Sequence, residues 1–214
     1  MYRVVFKKFF DAVFASLLLL LISPLFLGLL LIILCYNYGN PFFFQERPGL
    51  YGKSFYVIKF KSMLDKFDEQ GNQLPDIQRI TKLGYFIRRT SLDELPQLIN
   101  VIKGDMSFIG PRPLLLRYLP YYTENEKKRH NVRPGITGLA QVSGRNYLNW
   151  KERLNYDVFY VENLSLILDI KIILKTVSKV LKGSDIKVIP NGTPFDVYRK
   201  EEILLSSSGR EIEH

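Results

Sequence analysis

Arg88-Arg89-Thr90-Ser91-Leu92-Asp93-Glu94-Leu95-Pro96-Gln97 sets two adjacent carboxylates beside a pair of arginines, and Asn100, Gly104-Asp105 and Gly110-Pro111-Arg112-Pro113 follow closely. Carboxylates gathered with guanidinium groups are what a protein needs to hold a magnesium-bound diphosphate and attack one of its phosphorus atoms. A plainer reading competes. Ser91 with Glu94 three positions later is a capping-box pattern, and acidic residues at a helix start are favoured by the free N–H groups and the dipole whether or not they do chemistry. The density of cations shifts the balance towards chemistry, because Arg88, Arg89, Arg112, Arg129, Arg133 and Arg145 lie nearby in sequence. Prolines on both sides of Arg112 restrict its backbone and would aim its guanidinium for bidentate phosphate contact; a salt bridge to a carboxylate is the alternative. Between Arg133 and Asn146, Gly135, Gly138 and Gly144 would let backbone N–H groups approach an anion, a weak signal on its own.

Other chemistries are set aside. The two histidines, His130 and His214, exclude a histidine-rich metal site, and there is no CxxC, HExxH, GxxxxGK[ST] or GxSxG pattern. His130 reads as a surface or hydrogen-bonding residue, and Trp150 as an interface or core anchor. Cys35, the single cysteine, permits no intrachain disulfide and reads as a small hydrophobe inside an apolar run.

The elements that must position the acidic pair are less plainly written. A net charge of +9 suggests anionic partners without choosing among lipid head groups, phosphorylated substrates and nucleic acid. The length fits one domain of about 150–180 residues with terminal extensions. The capping pattern predicts a helix from Ser91 to about Ile102 that stops at Gly104, but Pro96 would break it, so the helix either kinks or begins its regular part at Pro96. Residues 39–52 read as a turn with short strands, Phe55–Phe60 as a strand, and residues 61–82 as a surface loop that is either a lid or a plain connector. Leu166–Lys182 is amphipathic: Leu166, Ile170, Ile173, Leu174, Val177 and Leu181 share one side, and Lys171, Lys175, Lys179 and Lys182 the other, with Leu168 and Ile172 out of place among the lysines. Packing on the core is the ordinary expectation for that helix, and lying in a membrane interface the functional one. Leu114–Leu116 with Tyr118, Leu119, Tyr121 and Tyr122 is a second candidate for interfacial seating. After Gly183 the periodicity fades, and Ser206–His214 reads as a disordered tail. No internal repeat is present.

Residues 12–36 carry no charge. As a straight helix they would measure about 37 Å, enough to cross a hydrocarbon core of about 30 Å. Charge argues against crossing, since Arg3, Lys7 and Lys8 precede the run and Arg47, Lys53, Lys59 and Lys61 follow it. Pro24 cannot donate to the Leu20 carbonyl, so a bend is expected at Ser23-Pro24 with the Ser23 hydroxyl available to a freed backbone group. A re-entrant helix-break-helix dipping into one leaflet is therefore favoured; a kinked spanning helix stays open, and a cleaved signal peptide fits poorly. The organisation expected is a membrane helix pair over 1–38, a catalytic domain over 39–182 and an extension over 183–214. The fold class is α+β, mostly helical, with a few short strands and interfacial amphipathic helices.

The strings KFKSM (Lys59 to Met63), RRTSLDELPQLINVIKGDMSFIGPRPLL (Arg88 to Leu115) and RHNVRPGITGLAQVSGRN (Arg129 to Asn146), with the later Asp157-Val158-Phe159-Tyr160 and Leu168-Asp169-Ile170-Lys171, together resemble the bacterial sugar transferase family. These are monotopic phosphoglycosyl transferases that begin glycan assembly on undecaprenyl phosphate, and the chain looks like their small single-domain form. The resemblance implies that a carboxylate matching Asp93 attacks the β-phosphate of a UDP-sugar and releases UMP, after which undecaprenyl phosphate takes the phosphosugar. It implies Mg²⁺ at Asp93 and Glu94, with Glu94 serving in metal binding or in proton and positioning work, phosphate contacts from Arg88, Arg112 and Arg145 with Lys59 behind them, and a place on the cytoplasmic face of the bacterial plasma membrane among anionic inner-leaflet lipids. No nucleic acid is expected as a partner; a homodimer is plausible. Leu139 and Ser143 depart from the Trp and Asn of many relatives, and the segment after Lys182 matches no family pattern. A non-catalytic, basic, membrane-anchored binding module is the alternative function, although it leaves the acidic pair amid arginines without a purpose.

Overall fold

A computed structural model describes residues 6–36, 39–144, 148–182 and 192–207. The apolar run forms two helices, α1 (Lys7–Leu21) and α2 (Ser23–Tyr36), bent by 68° at the break between them. The bend has the expected cause. Pro24 has no N–H for the Leu20 carbonyl, and the Ser23 hydroxyl donates to that oxygen at 2.8 Å. Among the described residues no single helix is long and apolar enough to cross a membrane, and only this bent pair passes by length and composition.

Both legs lie against the rest of the chain. On α1, Lys7, Asp11 and Ala15 recur every helical turn and are buried. Ala15 packs with Val57, Leu98, Val101 and Met106. Asp11 accepts a hydrogen bond from the Ser107 hydroxyl at 2.6 Å, and the Lys7 ammonium meets Asp169 at 2.7 Å. On α2, Leu29 and Ile33 pack with Phe60 and Ile87. The opposite faces, among them Phe9, Phe14, Leu17, Leu21, Leu27 and Leu31, are exposed.

Strands β1 (Phe42–Pro48) and β2 (Ser54–Phe60) pair antiparallel, with Phe42 opposite Phe60 and Pro48 opposite Ser54. Residues 61–82 are more ordered in path than a plain loop: Met63 bridges Ile80, Phe67 bridges Gln73, and a short helix α3 (Asp76–Arg79) closes the excursion. Helix α4 (Lys82–Arg89), capped by the Thr81 hydroxyl accepting from Gly84 N–H at 2.8 Å, was too short to show a period in the sequence.

The predicted capping box at Ser91 does not form. Ser91 is left-handed (φ 57) with no side-chain bond to the following turn, which is a single 3-10 turn over Leu92–Glu94. Regular helix α5 (Gln97–Lys103) begins after Pro96 and ends at left-handed Gly104 (φ 84). Of the two alternatives at Pro96, the late start holds, because a residue without an N–H cannot continue a helix begun at Ser91.

Strand β3 (Ser107–Ile109) pairs parallel with β4 (Gly135–Thr137). A Cβ on Gly135 would lie 2.1 Å from the Gly110 nitrogen, and one on Gly138 2.2 Å from the Gly110 oxygen. Close backbone approach therefore explains these two glycines without an anion. Beyond lie α6 (Glu124–Lys127), α7 (Leu139–Ser143), α8 (Trp150–Glu162), α9 (Leu166–Lys182) and α10 (Phe195–Ser207).

Two expectations about packing are corrected. Helix α9 occupies its predicted range, but it docks through Leu168, Asp169, Ile172 and Thr176, while Leu166, Ile170, Ile173, Leu174 and Val177 are exposed. The residues that spoiled the amphipathic pattern are the ones that touch the core, drawn there by the polar contacts of Asp169 with Lys7 and Tyr160. Conversely, Leu114, Tyr118 and Tyr122 are not interfacial: they are buried with Leu154 and Phe195 in a satellite core. Phe195 belongs to the C-terminal extension, so 192–207 packs on the domain, and Ser206 and Ser207 end a helix; residues 208–214 lie outside the described residues.

Candidate active site

Three segments bring the acidic pair and its cations together. The 3-10 turn over Leu92–Glu94 presents Asp93 and Glu94, strand β2 presents Lys59, and the Pro111–Pro113 arm presents Arg112. Glu94 Oε1 accepts from Lys59 Nζ at 2.8 Å and from Arg112 Nη2 at 2.5 Å. Lys59 Nζ also stands 4.0 Å from Asp93 Oδ2. Arg88 lies near enough to act on Asp93 electrostatically, and its Nε donates to the Ser62 hydroxyl at 2.8 Å. Asp93, Glu94, Lys59, Arg88 and Arg112 thus form one cluster, in which Arg112 makes the carboxylate salt bridge that was the alternative to a phosphate contact. Arg145, the remaining predicted phosphate contact, lies outside the described residues.

Burial and neighbouring charge set the two carboxylates apart. Asp93 is pushed up to about 6, first by burial and then by the charge of Glu94, against the pull of Lys59, Arg88 and Arg112. Burial also opposes ionisation of Glu94, but Arg112 and Lys59 outweigh it and hold that carboxyl well below the usual range. Glu94 is therefore a fixed anion, and Asp93 the more basic of the pair.

Other residues hold the cluster in place. Asn100, wholly buried on α5, grips β2 by donating to the Tyr56 carbonyl at 2.7 Å and accepting from Ile58 N–H at 3.0 Å, next to Lys59. Its only sequence signal was a polar residue beside the apolar Leu98 and Val101. Arg129 is buried rather than presented to a ligand: its Nη2 bonds Asp157 at 2.7 Å and the Arg112 carbonyl at 2.7 Å. Arg133 donates to the Gly104 carbonyl at 2.9 Å, at the end of α5. Arg47, which the sequence offered only as a charge flanking the apolar run, is lowered to about 10 by burial and by Arg112 close by. His130 is buried rather than on the surface, hydrogen-bonded to Gly49, and lowered to about 4 by burial and then by Arg129, so it is neutral near pH 7. Trp150 is the expected anchor, its Nε1 donating to the Thr193 carbonyl at 2.9 Å.

No group of three or more His, Cys, Asp or Glu residues that could hold a metal occurs among the described residues. Mg²⁺ does not require one. It is commonly bound through one or two carboxylates together with substrate phosphates, and the hard oxygens of Asp93 and Glu94 fit that role.

The arrangement is a buried acidic pair on a turn, ringed by cations whose charge suits a phosphate-bearing substrate, beside an apolar bent helix pair. The family model for bacterial sugar transferases matches residues 2–183. An uncharacterized sugar transferase, EpsL of Bacillus subtilis, is 49% identical over 184 residues, 86% of this chain and 91% of its own. The exopolysaccharide production protein ExoY of Rhizobium meliloti is 38% identical, covering 81% of this chain and 84% of its own. A UDP-glucose:undecaprenyl-phosphate glucose-1-phosphate transferase of Klebsiella pneumoniae is 40% identical over 187 residues, 83% of this chain but 40% of its own length. The chain belongs to the bacterial sugar transferase family and is an enzyme of the phosphoglycosyl transferase type. The non-catalytic binding module is thereby set aside.

Proposed function

We propose that the chain transfers a sugar-1-phosphate from a UDP-sugar to undecaprenyl phosphate, giving an undecaprenyl diphosphate sugar and UMP, as the first membrane step in glycoconjugate assembly. A carboxylate oxygen of Asp93 attacks the β-phosphorus of the UDP-sugar; the bond from that phosphorus to the bridging oxygen breaks and UMP departs. A phosphate oxygen of undecaprenyl phosphate then attacks the same phosphorus, forming the diphosphate and returning Asp93 to its carboxylate. The observation that carries this reading is Glu94 pinned between Lys59 and Arg112 beside the more basic Asp93. A carboxylate approaching a diphosphate meets like charge, and Lys59, Arg88 and Arg112 lower that repulsion at the site of attack. Asp93 and Glu94 would hold Mg²⁺, which supplies charge neutralisation of the phosphate oxygens.

The same reading places α1 and α2 in the cytoplasmic leaflet of a bacterial plasma membrane as a re-entrant pair. Each leg packs along its length on the same domain, and Lys7, at the start of α1, bonds to α9. A crossing would carry one of those contacts to the far side. The outward apolar faces of α1, α2 and α9 then meet lipid, and the exposed Lys171, Lys175 and Lys182 suit anionic head groups.

Detergent-solubilised protein is given a panel of UDP-sugars with and without undecaprenyl phosphate and Mg²⁺, and UMP is followed beside intact-protein mass. Turnover requiring all three, and a mass increase equal to one phosphosugar when the acceptor is omitted, are the expected results. Full turnover by Asp93→Asn would refute the covalent route.

A further inference from the structure

The family match ends at residue 183, yet α10 beyond it is built into the domain. Phe195, its first residue, is fully buried. Its ring stacks on Tyr122 with centroids 5.1 Å apart and meets Tyr118 edge-on at 5.5 Å and Trp150 at 5.2 Å. Polar ties hold the helix there: Arg199 bridges Glu126 and Glu202, and Arg117 lies 3.5 Å from Asp196. Tyr122 leads directly to the site. Its ring lies between Phe195 and His130, the latter at 5.5 Å, and its hydroxyl accepts from Arg129 Nη1 at 3.3 Å. Arg129 in turn donates to the Arg112 carbonyl at 2.7 Å, and Arg112 donates to Glu94.

We propose that α10 is a positioning clamp for the reaction: Phe195 fixes the Tyr122 ring, Tyr122 fixes Arg129, and Arg129 holds the Pro111–Pro113 arm so that the Arg112 guanidinium falls on Glu94. The proposal rests on the reading of Asp93 and Glu94 as the reacting pair. Phe195, Tyr122 and Arg129 are positioning residues that act through Arg112. The segment that resembled nothing in the family thus gains a part in this chain's own catalysis. Arg112 is 45% exposed at its side chain and sits on a short arm with no regular structure of its own, so its direction depends on what grips its backbone. That carbonyl accepts from Arg129, whose own position is held by Asp157 at 2.7 Å and by the Tyr122 hydroxyl at 3.3 Å.

The test uses the full chain with Phe195→Ala, Phe195→Leu, Tyr122→Phe and, as control, Val197→Ala on the exposed side of α10. Steady-state UMP release gives kcat and KM, and a thermal melt reports the fold. Misplacing a charge-bearing group by a fraction of its contact distance lowers the rate rather than binding, so kcat is expected to fall by about 10-fold or more in Phe195→Leu, with KM for the UDP-sugar little changed and Val197→Ala active as wild type. Tyr122→Phe, which keeps the ring and removes only the hydroxyl, lowers kcat in the same way, and its combination with Phe195→Leu loses less than the product of the two effects, because both act along one route. Should Phe195→Ala lose its cooperative melt, Phe195→Leu and Tyr122→Phe carry the test. A folded Phe195→Leu with wild-type kcat overturns the clamp, as do losses that multiply independently. A wild-type chain that releases no UMP refutes the transferase reading instead, a different result from equal turnover in wild type and Phe195→Leu.

Discussion

Replacing Lys7 by methionine tests how firmly the membrane helix pair is locked to the catalytic domain. The Lys7 ammonium and Asp169 meet at 2.7 Å with side chains only 9% and 3% exposed, and they join residues far apart in sequence, the start of α1 and the first turn of α9. Methionine keeps the aliphatic stem but leaves Asp169 charged, buried and supported only by its remaining contacts, including the Tyr160 hydroxyl at 2.7 Å. Breaking one side of a buried pair in this way costs about 3–5 kcal/mol. For a chain of this length each kcal/mol moves the midpoint by about 2–4 °C, so Lys7→Met is expected to melt about 6–20 °C lower. The double variant Lys7→Met/Asp169→Leu removes both charges, while the Tyr160 hydroxyl keeps the Ile109 carbonyl at 3.0 Å. It should recover part of the loss, since a buried pair exchanged for apolar side chains is often near neutral, while Asp11, buried one turn along, still loses the Lys7 charge. Thermal unfolding in one detergent, followed by tryptophan fluorescence from Trp150 and by circular dichroism, measures both. A Lys7→Met midpoint within about 2 °C of wild type would refute the argument, because it would mean that the pair is solvated and α1 is not docked through it.

Three further outcomes are expected. Gly84→Ala should destabilise, against the roughly 1 kcal/mol that alanine gains over glycine in a helix, because its Cβ would lie 1.8 Å from the Ser62 carbonyl oxygen; kcat/KM should fall as well, since Ser62 holds Arg88, and a more stable, fully active variant would contradict this. Asn100→Leu leaves the Tyr56 carbonyl and Ile58 N–H without their partner, a loss of about 1–3 kcal/mol for each group by denaturant titration, with transfer reduced as β2 and Lys59 shift; an unchanged midpoint would count against the clamp on β2. His130 has its folded value lowered to about 4 from an ordinary 6.5, so the unfolded chain binds more protons between those values. Its contribution to stability is complete above pH 6.5 and lost as pH falls towards 4, up to about 3 kcal/mol. Melting curves across that window should be flatter in His130→Gln, and identical slopes would refute the assignment.

Much of this was legible in the residues. The bend at Ser23-Pro24 follows from one missing N–H, and the Ser23 hydroxyl bonds the very carbonyl that Pro24 leaves free. The acidic pair with Arg88 and Arg112 in its neighbourhood was readable from type and spacing, whereas Lys59 came only from the family resemblance. What misled were residues whose role depends on a partner distant in the chain. The Ser91–Glu94 pattern looked like a cap, but Pro96 overrode it, and Glu94 turned to Lys59 and Arg112 rather than back to the helix start. Periodicity on α9 found the strongest apolar face but could not say which face docks. That was decided by Asp169, whose partners Lys7 and Tyr160 are unrelated to it in local sequence. The sequence showed Asn100 only as a polar neighbour of the acidic pair and Arg47 only as a flanking charge, because a clamp on a strand and a buried cation beside Arg112 are properties of the folded arrangement.

The proposed division of labour between adjacent carboxylates follows from this geometry rather than from their chemistry, which is nearly the same. Both are withdrawn from water, a change that raises each of them alike. The difference is in who holds them. Glu94 Oε1 takes two cations at hydrogen-bond distance, whereas the nearest ammonium stands 4.0 Å from Asp93. Glu94 is therefore spoken for as an anion and unsuited to attack, since a nucleophile loses strength as its lone pairs are tied into charge-assisted bonds. Asp93, with a more basic carboxylate and Glu94's negative charge beside it, is the better nucleophile, yet with a value near 6 it remains mostly ionised at neutral pH. Exchanging the two residues, Asp93→Glu with Glu94→Asp, would preserve the total charge and move each carboxylate by one methylene. On this argument the exchange should abolish transfer, because neither the fixed anion nor the attacking oxygen would stand where Lys59, Arg112 and the phosphorus require it.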